Sequence, residues 1–162
     1  MFRMGKEEIE AVKTVIKSTD LFRINNNARE VDHFEEEWAA KIGTKYALGL
    51  TSGTAALITS LAALGIGPGD EVIVPGYTFM ATASAVLSVG AIPVIVEVDE
   101  TLTIDPCEIE KKITKFTKAI IPVHLNGFPC DMDRIMQLAK KYDLKIVEDA
   151  CQADGGSYKG MR

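Results

Sequence analysis

An α/β fold with a mostly parallel sheet and helices on both faces is what this 162-residue sequence predicts, and three features carry that reading. From Lys45 onward, short apolar runs alternate four times with helical patterns, the arrangement that gives parallel strands joined by helical crossovers. The runs are dominated by Ile, Val and Leu, as in strands covered on both faces. The helical patterns between them begin and end on capping residues and Gly-Pro turns, which mark where each element stops.

Ahead of the first run, Ile9, Val12 and Ile16 suit one amphipathic helix, and Val31, Phe34, Trp38 and Ile42 suit a second that ends at Gly43. Asn25-Asn26-Asn27 forms the loop between them, and the whole makes an N-terminal helical segment over residues 1–44. In the remainder, 45–162, the expected strands are Tyr46–Leu50, Glu71–Val74, Pro93–Glu97, Ala119–Val123 and Lys145–Glu148. Leu57, Ile58, Leu61 and Leu64 form a helical stripe that stops at Gly65, before the turn Gly67-Pro68-Gly69-Asp70. Asp105, Pro106 and Glu108 read as an N-cap, a first-turn proline and a capping-box glutamate. Asp131 caps a helix carrying Ile135, Met136, Leu138 and Ala139, whose apolar side chains suit core packing rather than a cofactor box. After Asp149 and Ala150, a Gly155-Gly156 turn leads to Tyr158 and Arg162 with no further element.

The composition, 47% hydrophobic and 25% charged, is that of a globular domain long enough for a sizeable core. The net charge of −5 and the lack of a basic run argue against nucleic acid as a partner. Arg3, Lys6, Glu7, Glu8, Glu10 and Lys13 interrupt any signal-peptide core, and no stretch reaches a membrane-spanning length, so a cytoplasmic protein without membrane association is expected. Cys107, Cys130 and Cys151 are odd in number and widely spaced, which reads as free thiols in a reducing compartment. His33 and His124 share no ligand spacing with them, so no metal site is expected.

The chemistry-bearing residues gather where strands end. Thr51-Ser52-Gly53-Thr54-Ala55-Ala56-Leu57 places small and hydroxyl residues where a run turns into a helix. The first N–H groups of a helix lack partners and carry partial positive charge, so a phosphate fits there, as does ordinary capping. Tyr77, Thr78 and Phe79 follow the second run, His124 and Asn126 the fourth, Asp149 and Gln152 the fifth. Ligands of open parallel sheets bind beyond such carboxyl ends, and this set describes a site for a phosphorylated flat ring. Phe79 suits either the core or a ring face, and His124 either a structural hydrogen bond or chemistry. Asp149, directly after an apolar run, faces a desolvation cost that a protonated ring nitrogen would offset. Lys159 reads as a solvated surface lysine.

Taken together, Ser52–Leu57, Gly67–Pro75, Tyr77-Thr78-Phe79, Ala119–His124 and Glu148-Asp149-Ala150-Cys151-Gln152 resemble the DegT/DnrJ/EryC1/StrS family, in order from Glu7 to Arg162. These are pyridoxal-phosphate-dependent sugar aminotransferases with the aspartate aminotransferase type I fold. The resemblance implies pyridoxal 5'-phosphate as cofactor, exchanged with pyridoxamine phosphate in the half-reaction. It implies that Ser52, Gly53 and Thr54 cup the phosphate, Phe79 stacks on the ring, Asp149 pairs with the ring nitrogen and Gln152 lies near the ring hydroxyl, with His124 behind them. Such a protonated ring is an electron sink. Cys151 departs from the usual Ala and Asn126 from a frequent aromatic; neither touches the cofactor logic, though Asn126 bears on substrate choice.

The resemblance further implies a homodimer that moves an amino group from glutamate or glutamine to a nucleotide-linked keto sugar, in cell-surface polysaccharide or antibiotic sugar biosynthesis. Family members form a Schiff base through a lysine some tens of residues after the aspartate, and the sequence ends at Arg162, before that position. The expectation is therefore the N-terminal part of the large domain, without the small C-terminal domain and without turnover of its own. Two large-domain strands from beyond Arg162 are expected beside Tyr46–Leu50, leaving open strand edges prone to association. A sugar dehydratase of the same family, with histidine in place of the lysine, and a non-catalytic phosphate-binding module are the alternatives. A dinucleotide enzyme is disfavoured because only Gly53 occupies the first turn, without G-x-G-x-x-G spacing.

Overall fold

The computed structural model describes residues 4–25 and 29–161, so Asn26 and Asn27 of the expected loop lie outside the described residues. The chain divides into two compact units, Met1–Gly49 and Leu50–Arg162.

In the first unit, helix α1 spans Lys6–Ser18 and α2 spans Glu30–Ile42. Gly43 ends α2 at φ 82°, a left-handed conformation that glycine adopts without steric cost, and its N–H returns to Ala39 O. The expected stripe Ile9, Val12, Ile16 does lie at helical spacing on α1, yet each of the three is more than half exposed. The expected strand Tyr46–Leu50 does not form. A strand exists through its ladder, and among the described residues no strand pairs with this segment. Within the first unit the Gly49 N–H donates instead to Glu35 Oε1 at 2.7 Å, and Tyr46 and Leu48 are exposed.

The second unit is an α/β layer structure. Helix α3 is Gly53–Ala63, β1 Glu71–Pro75, α4 Ala81–Ser88, β2 Ile92–Val96, α5 Pro106–Lys112, β3 Thr117–Ile120, α6 Met132–Tyr142 and β4 Lys145–Ile146. The four strands are parallel, in the order β2-β1-β3-β4. Side chains alternate across a strand, and the core divides accordingly. Val72, Val74, Ala119 and Ile121 face one way and pack with Leu57 and Leu61 of α3 and Ala85 and Val86 of α4. Ile73 and Ile120 face the other way and pack with Ile109 of α5 and Ile135 and Ala139 of α6. Helices thus cover both faces, as expected.

Element ends follow from specific groups. Asp105 accepts the Cys107 N–H at 2.7 Å, but Glu108 closes no capping box. The Asp105 N–H it would take is already donated to Glu97 O, and Glu108 pairs with Lys111 Nζ at 2.5 Å. Asp131 caps α6 through the Arg134 N–H at 3.2 Å. The two last strands are shorter than their apolar runs, because Pro122 has no N–H to continue the ladder. Strand-like pairing nevertheless reaches Asp149. The Val147 N–H donates to Ile120 O, the Asp149 N–H to Pro122 O and the His124 N–H to Asp149 O, with Val123 and Asp149 bridged in parallel.

Candidate functional site

A cavity of about 220 Å³ opens where β1, β3 and β4 end, lined by Gly53, Thr54, Thr78, Phe79, Val123, Asp149, Cys151 and Gln152 among others. Five predicted site residues therefore meet: Gly53, Thr54, Phe79, Asp149 and Gln152. Ser52 stands just outside as the N-cap of α3, its Oγ accepting the Ala55 N–H at 3.1 Å. That cap satisfies one of the helix's first donors, while the N–H groups of Gly53 and Thr54 have no intrahelical acceptor.

Phe79 is 72% exposed, which removes the core reading and leaves an aromatic at the cavity wall. Asp149 is the opposite case, with only 6% of its surface exposed. Its Oδ2 accepts the Thr82 hydroxyl at 2.9 Å and its Oδ1 the Cys151 N–H at 3.3 Å. Thr82 in turn lies 2.9 Å from the Thr78 hydroxyl. No cation pairs with Asp149 among the described residues. Gln152 Oε1 accepts the Asn126 N–H at 2.6 Å, so Asn126 touches the site through its backbone, at φ 52°, and its side chain is not part of the lining.

His124 stays behind the cavity. It is buried, its Nε2 lies 2.9 Å from Glu148 Oε2, and its Nδ1 accepts the Cys130 N–H at 3.2 Å. The Cys130 side chain and then the Glu148 carboxylate raise the imidazole pKa to about 9, against burial, and the histidine lowers that of Glu148. The Cys130 N–H works against the rise, since only an unprotonated Nδ1 accepts it. In the neutral ring the proton sits on Nε2, toward Glu148, whereas the charged ring that a pKa of about 9 gives at neutral pH surrenders the Cys130 N–H bond.

Sequence reasoning assigned no role to three lining or supporting residues, of which only Thr82 went unnamed. Cys151, set aside as irrelevant to the cofactor, lines the cavity, and its Sγ would lie 2.8 Å from a Cβ at position 53. Asp149 and burial push its thiol up to about 11, so it is protonated at neutral pH. Thr78 and Thr82 were legible in one respect, because Thr82 shares a helical face with Ala85 and Val86, where a hydroxyl needs a partner. Lys159, read as a surface lysine, is exposed and pairs with Asp133, and among the described residues no lysine lines the cavity.

Residues 3–162 match the model of the DegT/DnrJ/EryC1/StrS aminotransferase family. The chain belongs to that family. Among its DegT/DnrJ/EryC1/StrS relatives, the dTDP-3-amino-3,6-dideoxy-alpha-D-galactopyranose transaminase of Aneurinibacillus thermoaerophilus is 51% identical over 134 residues, covering 82% of this chain and 37% of the relative. The aminotransferase of Psychrobacter cryohalolentis superposes with a TM-score of 0.94 at 44% identity, covering 98% of this chain and 40% of the other. The PLP form of the sugar aminotransferase Spr1654 from Streptococcus pneumoniae, described as putative, gives a TM-score of 0.90 at 35% identity, covering 98% and 44%. This chain spans about two fifths of the length of these DegT/DnrJ/EryC1/StrS proteins.

Proposed function

We propose that this chain forms the cofactor-binding part of a cytoplasmic, pyridoxal-phosphate-dependent aminotransferase that transfers an amino group from glutamate or glutamine to a nucleotide-linked keto sugar. The observation that carries the reading is Asp149: a buried carboxylate in a cavity, held by neutral donors and lacking a cation. An unpaired buried charge is costly. A protonated pyridine nitrogen supplies the missing partner, so the residues present fit the group.

When bound, the cofactor supplies a protonated ring that accepts the electron pair released at the substrate carbon. Asp149 keeps the proton on the ring nitrogen. Gly53 and Thr54 bind the phosphate through the free N–H groups at the start of α3, with Ser52 holding that turn. Phe79 covers one ring face and excludes water, and Gln152, fixed by the Asn126 N–H, lies toward the ring hydroxyl. His124 supports Asp149 through the backbone. The free thiols Cys107, Cys130 and Cys151 suit a reducing cytoplasm. Because no lysine lines the cavity among the described residues, the 162-residue chain binds the cofactor without forming a Schiff base.

Titration with pyridoxamine 5'-phosphate, which cannot react with surface lysines, tests the cavity directly. Saturable binding is expected, weakened in Asp149→Asn by about tenfold to a hundredfold, the range for a hydrogen bond to a charged group. Equal affinity in parent and variant, or no saturable binding in the parent, overturns the reading.

A further inference from the structure

We propose that Thr82, with Thr78 behind it, is a positioning residue that fixes the Asp149 carboxylate for the cofactor ring; this rests on the cofactor reading above. Thr82 has no exposed surface and sits on the face of α4 that buries Ala85 and Val86. Packing alone favours an aliphatic residue there, because a hydroxyl in an apolar setting costs free energy unless it is bonded. Its bond spans 67 positions of sequence to reach Asp149 Oδ2 at 2.9 Å.

The polarity of the pair follows from counting protons. A carboxylate only accepts, so the single Thr82 hydroxyl proton goes to Asp149. The Thr82 oxygen is then the acceptor toward Thr78, 2.9 Å away, and the Thr78 hydroxyl must donate. Thr78 lines the cavity, so the relay runs from the cavity wall through α4 to the carboxylate. Oδ1 is held separately by the Cys151 N–H. One oxygen is thus tied to α4 and the other to the turn after Asp149, which locks the side chain in one rotamer while both oxygens keep acceptor capacity for a ring N–H.

The experiment is a double-mutant cycle on pyridoxamine 5'-phosphate affinity with Thr82→Val, Thr82→Ser and Asp149→Asn. Thr82→Val is expected to weaken binding by about fivefold to tenfold, less than Asp149→Asn because the carboxylate stays and loses only one of its two supports. Thr82→Ser should restore it, and the valine effect should shrink below about twofold in the Asp149→Asn background, since coupled groups are not additive. Thermal unfolding of each variant separates binding from folding. If Thr82→Val does not fold, Thr78→Val reads the same relay one step out, with a smaller loss in the same direction. A valine effect that persists unchanged without Asp149, or that serine does not rescue, overturns the proposal. Loss of the Asp149→Asn effect itself overturns the cofactor reading instead.

Discussion

At Gly53 the decisive fact is what occupies the space where a side chain would go. A Cβ there meets Cys151 Sγ at 2.8 Å, closer than side-chain atoms approach one another. Its φ lies outside the left-handed region, so conformation does not demand glycine, and alanine is otherwise the better helix former. The thiol is what requires it. Gly53→Ala should therefore destabilise the chain, by about 1 kcal/mol at most, the low end of overpacking costs, because Cys151 is exposed and its thiol can turn aside. Adding Cys151→Ala should recover most of that loss, as read by urea unfolding midpoints. Equal losses in the presence and absence of the thiol would remove Cys151 as the cause. The pairing was invisible in sequence because 53 and 151 are far apart and neither position carries a local signal of the other. By contrast, the other cavity-lining residues were legible one by one, since Phe79 and Asp149 follow apolar runs that end beyond strand carboxyl ends and Gly53 and Thr54 open a helix.

Elements matter next, because Asp149 lies beyond the regular part of β4 and depends on the joint between strand ends. Three backbone bonds and the His124–Glu148 contact form that joint. His124 has its pKa raised from 6.5 to about 9, so its contribution to stability is full below pH 6.5 and is lost as pH climbs through about 9. The pKa of Glu148 is lowered, so its share is full above its ordinary value of 4.5 and disappears as pH falls through the depressed one. The pair therefore stabilises most between pH 4.5 and 6.5. The difference in unfolding midpoint between the parent and His124→Gln should narrow from pH 6 to pH 9.5; a constant difference would show that the imidazole acts by packing alone. How far the elements could be read follows similar lines. Helices with a polar cap and an apolar stripe, α3 and α6, were legible from local signals, the stripe ahead of Gly65 for α3 and the Asp131 cap for α6. Helix α4, built from Ala, Thr, Ser and Val with no side-chain cap, gave no such signal and was not singled out. Tyr46–Leu50 reads as a strand by composition, yet a strand also needs a neighbour, and composition does not encode one.

For the molecule as a whole the consequence of that missing pairing is open edges. Among the described residues β2 and β4 each have a neighbour on one side only. Unpaired strand edges template association unless something blunts them. Pro93 removes one donor from β2, and the exposed Lys145 places a charge on β4, so each edge carries one protective feature. Against these stand Ile92 and Ile95 on β2, both more than half exposed, and the uncovered stripe of α1. Apolar exposure on this scale outweighs a single proline and a single lysine, because association buries several such side chains at once, each worth about 1.5–3 kcal/mol when fully covered. The 162-residue chain should therefore show an apparent mass that rises with concentration in sedimentation equilibrium. Ile95→Lys, which puts a charge on the exposed side of β2, should lower that mass while leaving the unfolding midpoint within about 0.5 kcal/mol of the parent. A sharp, monomeric unfolding transition that is independent of concentration would contradict the expectation and mean that the open edges are protected in solution.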